Sequence, residues 1–375
     1  VIYKSFHGQN ISLLGMGNMR LPVTPEGAVD HRRGQEIIDY AFEHGINYFD
    51  TAYLYHGGES ETFLGDALAG YDRDSYFLAD KFPGYLFKPG MDPREIFEEQ
   101  LGRCKTDRFD FYLMHNVNER SIETYTDAEM ALYEYFQSER AAGRIRYLGF
   151  SSHGNTATLE RMVSFRDWDF AQIQLNYLDW TLQDAKRQYE ILAEHGVPVM
   201  VMEPLRGGRL ASLTPEADGL LTAAQPGRSI ASWAFRWLMG LEHVQVVLSG
   251  MSDLEQIRDN VATFSALDPL TPELAETLDH ARDLLQRQIG VPCTACRYCC
   301  DDCPVGLDIP GLLNVYNNYK AATSYQQIAL QMGMTRLGSD QNPANCIACG
   351  ACAEHCPQSI DIPDVMSKLV EAIRV

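Results

Sequence analysis

Nine of the chain's ten cysteines lie between positions 293 and 356. Cys293-x2-Cys296-x2-Cys299-x3-Cys303-Pro304 is followed by Cys346-x2-Cys349-x2-Cys352-x3-Cys356-Pro357. Three thiolates at such short intervals wrap one face of a cubane, and the proline ends the turn, so each run has the spacing that holds a 4Fe–4S cluster. Zinc also suits x2 spacings, but a repeated four-cysteine run with a trailing proline favours iron–sulfur ligation. Cys300 fits no ligand position, and Cys104 stands alone in the first 292 residues; both read as packed thiols. A second set of ionisable residues, Asp50, Tyr55, Lys81 and His115, is scattered along the body of the chain. Taken singly these read as a solvated Asp, a surface Lys and a core His or Tyr. Their meaning depends on the elements that carry them.

Those elements alternate. Short apolar runs at 13–17, 46–51, 76–81, 109–115, 147–151, 170–175, 198–203 and 244–249 read as strands. Amphipathic stretches such as 33–44 and 184–195 lie between them, each followed by a glycine (Gly45, Gly196) where a helix C-terminus favours one. Strands alternating with helices mean βα units and a parallel sheet. Eight of them in about 250 residues predict a (β/α)8 TIM barrel, whose catalytic groups sit at the C-terminal ends of the strands. A doubly wound open sheet is the alternative. It is disfavoured because Gly15-Met16-Gly17-Asn18-Met19-Arg20 lacks the third glycine and runs into Leu21-Pro22. Asp50, Lys81, His115 and Ser151 each fall at the end of a predicted strand, and Tyr55 follows Asp50 on a loop. The mouth of a barrel would bring them together.

Composition agrees with a folded body. Apolar residues make up 45% and charged residues 22%, and 31 basic against 51 acidic residues give a net charge of −20. That balance, without a basic run, disfavours nucleic acid and anionic membrane surfaces as partners. No basic-then-apolar leader is visible and no apolar run reaches the length of a membrane span, so the expected location is cytoplasmic. Cysteines crowded at one end of such a chain argue for metal ligands over a disulfide framework.

Asp50-Thr51-Ala52-x-x-Tyr55, Lys81, Leu113-Met114-His115-Asn116 and Gly149-Phe150-Ser151-Ser152 together resemble the aldo-keto reductase superfamily over roughly the first 265 residues. The resemblance implies an oxidoreductase barrel that binds a nicotinamide cofactor without a Rossmann fold and reduces aldehydes or ketones. In that chemistry a hydride goes to carbon and a proton to the developing alkoxide. Tyr55 would be the general acid, Lys81 would favour its phenolate, and Asp50 would hold and neutralise Lys81. His115 would orient the carbonyl or help relay the proton. Tyr53 is the rival phenol, but the family motif places the acid at Tyr55.

The same resemblance assigns cofactor contacts. Ser151, Ser152 and Gln172 match positions that hold the nicotinamide carboxamide, and Met202 stands where many members stack a tyrosine. Pro204, Leu205 and Gly207 belong to Glu203-Pro204-Leu205-Arg206-Gly207-Gly208, similar to the loop that covers the pyrophosphate. After the last strand, Ser249, Gly250 and Gln256 stand where members that grip the 2′-phosphate of NADPH carry cations, and Asn260 is at the usual adenine contact. The cofactor is therefore NAD(H) or NADP(H), with no phosphate clamp implied, and Arg258 is a substitute cation only if it leaves the solvated face of its helix. Arg20, His153, Tyr177 and Trp180 are further candidates for the mouth.

The tail resembles a two-cluster ferredoxin, in which the fourth cysteine of each run ligates the other cluster. That resemblance places Cys293, Cys296, Cys299 and Cys356 on one cluster and Cys346, Cys349, Cys352 and Cys303 on the other. The tail is also an internal repeat: Cys-Pro-Val-Gly-Leu-Asp-Ile-Pro from Cys303 mirrors Cys-Pro-Gln-Ser-Ile-Asp-Ile-Pro from Cys356. Helical patterns at 312–322, 325–334 and 365–373 make the α-helical ferredoxin type the expected one. The predicted domains are a barrel at 1–268, a linker helix at 269–290 (pattern 271–288, opened by Pro272) and a mainly α-helical ferredoxin-like domain at 291–375.

A barrel joined to a dicluster tail resembles a subgroup of the superfamily. A nicotinamide moves two electrons as a hydride while each cluster moves one, and no flavin motif is visible, although barrels bind flavin phosphate without a strong signature. Three readings follow. One is a carbonyl reductase or alcohol dehydrogenase in which the clusters tune, dock or stabilise. The second is a ferredoxin-coupled oxidoreductase with a ferredoxin or flavoprotein partner. The third is an electron-carrier subunit with a relic barrel.

Overall fold

Side chains that alternate along extended backbone build the first part of the chain. In a computed structural model, residues 1–88, 90–286, 290–321 and 326–374 are described. Strands β1 (Tyr3–Phe6) and β2 (Gln9–Ser12) form an antiparallel hairpin through His7 and Gly8, both at positive φ, as a two-residue turn requires. The strands β3 (Leu14–Gly17), β4 (Tyr48–Asp50), β5 (Phe77–Phe82), β6 (Phe109–Val117), β7 (Ile145–Ser152), β8 (Phe170–Gln174), β9 (Val199–Met202) and β10 (Val244–Ser249) follow. They close into a parallel barrel in sequence order, with β10 against β3. All eight predicted runs are strands of this barrel, and helices lie between them. Gly45 and Gly196 take positive φ just past helices His31–Glu43 and Ala185–Glu194.

Alternation sorts the strands into two layers. Tyr48, Phe77, Ala79, Phe111, Leu113, Tyr147, Phe170 and Met200 fill the barrel interior, with Phe6 and Ile11 of the hairpin among them. Phe49, Leu78, Phe82, Tyr112 and Met114 face the surrounding helices. Full burial of each large apolar side chain contributes about 1.5–3 kcal/mol. Gly149 makes room for the interior aromatics: a Cβ there would come within 2.7 Å of the Phe170 ring. One more inward step along each strand, at period two, reaches Asp50, Lys81, His115, Ser151, Gln172 and Met202. The apolar layers below therefore fix the polar layer at the mouth.

The chain forms two compact units, Val1–Leu205 with Arg228–Ala275, and Arg206–Gly227 with Glu276–Val375. The sequence placed 206–227 with the barrel at 1–268. The fold groups it with the cysteine-rich part, where buried Arg206 donates to the Pro292 carbonyl at 3.0 Å. The second unit has its own core, including Leu307, Ile309, Leu312, Leu313, Ile362, Met366 and Leu369. Its helices include Ile309–Ala321, Gln326–Leu337 and Ile362–Arg374. The last is capped where Asp361 accepts from the Asp364 N–H, and it buries Ile362, Val365, Met366 and Leu369 along one face. Helix Pro272–Gln286 covers the expected linker segment. Residues 287–288 of that pattern, 322 of the next and 325 of the third lie outside the described residues. Among the described residues no helix is long and apolar enough to cross a membrane.

Candidate functional site

Lys81 on β5 is fully buried, and its Nζ lies 2.5 Å from Asp50 Oδ1 of β4 and 2.6 Å from the Thr51 carbonyl. Burial pushes the Asp50 carboxyl up, and the Lys81 ammonium opposes that push. The same Nζ stands 5.0 Å from the centre of the Tyr55 ring. The Tyr55 and His115 rings meet edge to face at 6.1 Å. Four residues from three strands and one loop thus share one small volume. Tyr53 does not join them: its hydroxyl donates to Glu99 at 2.8 Å, with the Arg103 guanidinium over its ring.

His115 is buried, and burial, the Lys81 ammonium and His153 hold its pKa well below the usual histidine range. Neutral imidazole can donate its N–H to a carbonyl oxygen, and an imidazole with so low a pKa does not take the proton of a nearby acid. Its Nδ1 is a buried atom with no hydrogen-bond partner. Half-buried His153 is pushed down to about 4, chiefly by burial and then by Lys81. His153 therefore faces the same field as the other four, which its sequence context left open.

Several supports were not visible in the sequence. Asn18 donates to the Asp50 carbonyl at 2.9 Å and to the Met16 carbonyl at 3.2 Å, tying the first loop to β4. The Tyr125 hydroxyl donates to the carbonyls of His115 and Phe82, bracing β6 against β5 behind the site. The Tyr85 and His115 rings meet edge to face with centroids 5.5 Å apart. Asn116, at φ +56, marks an irregularity in the β6–β7 pairing, and its N–H donates to Ser151 Oγ at 2.8 Å. Such local departures from regular pairing re-aim side chains at barrel rims.

The expected cofactor contacts divide. Ser152 Oγ, Gln172 Oε1 and Asn18 Oδ1 are buried without a hydrogen-bond partner, and an amide such as a nicotinamide carboxamide would satisfy such atoms. Gln172 also lies 3.7 Å from Met202 Sδ. Ser151 is occupied by the Asn116 N–H. Pro204 is buried, and Glu203, Arg206, Gly207 and Gly208 take positive φ, so this loop turns sharply. Ser249 Oγ accepts from Asn260 at 3.1 Å, and Gln256 Oε1 accepts from the Ser252 N–H at 2.8 Å, so these side chains stabilise the turn around Gly250. Arg258 packs on the Tyr40 ring at 5.7 Å. Arg20 lies 3.6 Å from Glu203, the salt-bridge alternative for that residue. Trp180 packs on Trp237 and Tyr189, and Tyr177 is buried.

In the second unit the cysteines gather in two groups. Cys303, Cys346, Cys349 and Cys352 line an open cavity of about 350 Å³, and Cys293, Cys296, Cys299 and Cys356 line another of about 280 Å³. Each cavity therefore takes three cysteines from one run and the fourth from the other. The backbone repeats as the sequence does. Ala295, Arg297 and Gly306 in the first half take positive φ, as do Ala348, Gly350 and Ser359 in the second. Left-handed residues are costly for alanine and turn the chain tightly around the space within. Backbone N–H groups of Ala295 and Leu307 point at the sulfurs of Cys293 and Cys303 at 3.3 and 3.4 Å, as the donors that temper a cluster's thiolates do. The cavities and donors fit cubane clusters. Cys300 lines neither cavity and packs against the second core, while Cys104 is buried in the barrel's outer layer.

Fold and site together define an oxidoreductase barrel joined to an iron–sulfur domain. The profile of the aldo/keto reductase family matches residues 13–283, and that of the 4Fe-4S dicluster domain matches residues 292–360. The chain belongs to the aldo/keto reductase family. It is 26% identical to L-galactose dehydrogenase of Arabidopsis thaliana over 309 residues, 74% of this chain and 92% of the relative. To L-glyceraldehyde 3-phosphate reductase of Escherichia coli K12 it is 27% identical over 331 residues, covering 72% and 91%. Among solved structures, the holo form of aldo-keto reductase AKR11C1 from Bacillus halodurans superposes with a TM-score of 0.60 at 28% identity, covering 75% of this chain and 95% of that one.

Proposed function

We propose that the barrel interconverts a small-molecule carbonyl and an alcohol, with Tyr55 passing the proton and a nicotinamide bound across Ser152, Gln172 and Met202. The nicotinamide, when bound, supplies or accepts the hydride. Every other part of the reaction belongs to the chain. The observation that carries this reading is the Lys81 ammonium, 2.5 Å from Asp50 and 5.0 Å from the Tyr55 ring. A cation at that distance stabilises a phenolate, so Tyr55 can release its proton to an alkoxide near neutral pH and regain it in the oxidative direction. Asp50 fixes the position of the Lys81 ammonium. Neutral His115 donates to the substrate oxygen, and the braces from Tyr125 and Asn18 hold His115 and Asp50 where the proton transfer needs them. Burial of Asp50, Lys81 and His115 strengthens the interactions among them.

In the tail, the two cysteine groups are proposed as the ligands of two 4Fe–4S clusters, with Cys356 and Cys303 exchanged between the runs. Anaerobically purified protein should carry about eight irons per chain. It should oxidise NADH or NADPH in the presence of an aldehyde, and Tyr55→Phe should bind the nicotinamide as wild type does while losing about 10²–10⁴ in turnover. Absence of nicotinamide binding at millimolar concentration would overturn the reading.

A further inference from the structure

The two cysteine cavities sit in different electrical surroundings. Loop residues 206–209 belong to the same unit as the first cavity, and they carry two guanidiniums on one turn, closed where the Arg209 N–H donates to the Arg206 carbonyl. Arg206 is fully buried and donates to the carbonyl of Pro292, the residue before Cys293. Half-buried Arg209 reaches Asn314 Oδ1 at 3.4 Å. Pro292 immediately precedes the cavity residue Cys293, and Asn314 immediately follows Leu313 of the same cavity wall, so both guanidiniums are anchored beside the first cavity. Two like charges held close in a low-dielectric setting repel, and a nearby anion relieves the cost. A cubane with four thiolate ligands is such an anion. Among the described residues lining the second cavity there is no Arg or Lys, and its Cys349 and Ile347 are exposed to solvent.

We propose that Arg206 and Arg209 are positioning residues that raise the reduction potential of the cluster on Cys293, Cys296, Cys299 and Cys356 above that of its neighbour. This rests on the reading of the tail as a two-cluster domain. Reduction adds one electron to a cluster, breaks no bond and makes the site one charge more negative. A fixed cation pair stabilises that extra charge, and net charge, burial and hydrogen bonds to sulfur are the protein's levers on such potentials. An electron entering the tail therefore rests on the cluster beside the 206–209 loop. The exposed neighbour, with no cation at its wall, passes it on. Arg297 also lines the first cavity, but it is exposed and its charge is answered by Asp308 at 3.1 Å, so it contributes little.

The test is a potentiometric titration of the full, anaerobically purified chain with dithionite as reductant, followed by electron paramagnetic resonance after iron and sulfide are counted. Wild type should show two one-electron waves, and Cys346→Ser should retain the higher one. Arg209→Gln should lower the higher wave so that the reduced-to-oxidised ratio at fixed potential falls about tenfold, 59 mV for one electron. Arg206→Met should act in the same direction, and Arg297→Gln should leave both waves in place. If Arg206→Met does not fold, Arg209→Gln decides alone. The proposal is overturned if Arg209→Gln with full iron leaves the higher wave unmoved, if it moves both waves equally, or if Cys346→Ser retains only the lower wave. An iron count near zero in wild type would instead defeat the two-cluster reading, and the proposal would fall with it before any titration.

Discussion

Replacing Lys81 by Met removes one half of a buried ion pair. Both partners are at most 3% exposed and 2.5 Å apart. At an effective dielectric of about 20 their attraction is about 7 kcal/mol, most of it offset by the desolvation of the two charges. Removing the ammonium leaves Asp50 buried and uncompensated, and the Thr51 carbonyl loses its donor. The barrel should lose about 3–5 kcal/mol at pH 7. The sign of the pH dependence follows from Asp50, whose carboxyl burial already pushes up and which rises further without the ammonium. The folded variant then takes up a proton at a higher pH than the unfolded chain, whose carboxyl keeps the ordinary value of about 4. The deficit is full above the raised value and shrinks as pH falls towards the ordinary one. Lys81→Met combined with Asp50→Asn should recover much of the loss, because neither charge remains buried. Urea melts followed by tryptophan fluorescence isolate the effect, since Trp168, Trp180, Trp233 and Trp237 all lie in the barrel unit. A deficit under about 1 kcal/mol at pH 7, a flat pH profile, or a double variant no better than the single would refute the reasoning.

Tyr53→Phe should leave turnover within about twofold of wild type, because its hydroxyl is engaged with Glu99 and the proposed acid is Tyr55; a loss like that of Tyr55→Phe in aldehyde reduction would reverse the assignment. Between pH 6.5 and 4 the barrel should lose stability, because the unfolded chain protonates its histidines first while His153 is held at about 4 and His115 well below its ordinary value. His153→Gln should make that decline shallower in urea midpoints measured across the range. Cys303→Ser should cut iron from about eight to about four per chain, and adding Cys346→Ser should remove little more, whereas adding Cys293→Ser should remove the rest. Iron and sulfide analysis distinguishes these outcomes from ligation within each run.

Much of the barrel was legible because its strands are short, buried on both faces and bounded by helical stretches. The ends of those strands could be located closely enough to pick out Asp50, Lys81 and His115. The β1–β2 hairpin was not visible, since Lys4, Ser5, His7, Gln9 and Asn10 dilute an apolar pattern of which only Phe6 and Ile11 are buried inside the barrel. Asn18 and Tyr125 act through carbonyls of residues far along the chain, and nothing local marks such partners. The choice between Tyr53 and Tyr55 rests in space on Glu99 and Arg103, 46 and 50 positions from Tyr53. The cysteine runs carried their own geometry, and the left-handed residues recur at matching places in both halves. The segment 206–227 meets the tail through residues far along the chain, Arg206 at a carbonyl 86 positions away and Arg209 at Asn314, 105 positions away. A motif on the loop gave no hint of it.

In the proposed reaction carbon receives a hydride from a nicotinamide while the Tyr55 phenol supplies the proton. This is tested most directly by reducing an aldehyde with nicotinamide deuterated at C4 and locating the label. Deuterium should appear on the carbinol carbon of the product, with the clusters oxidised throughout turnover. Solvent hydrogen at that carbon, with turnover that requires reduced clusters, would contradict it.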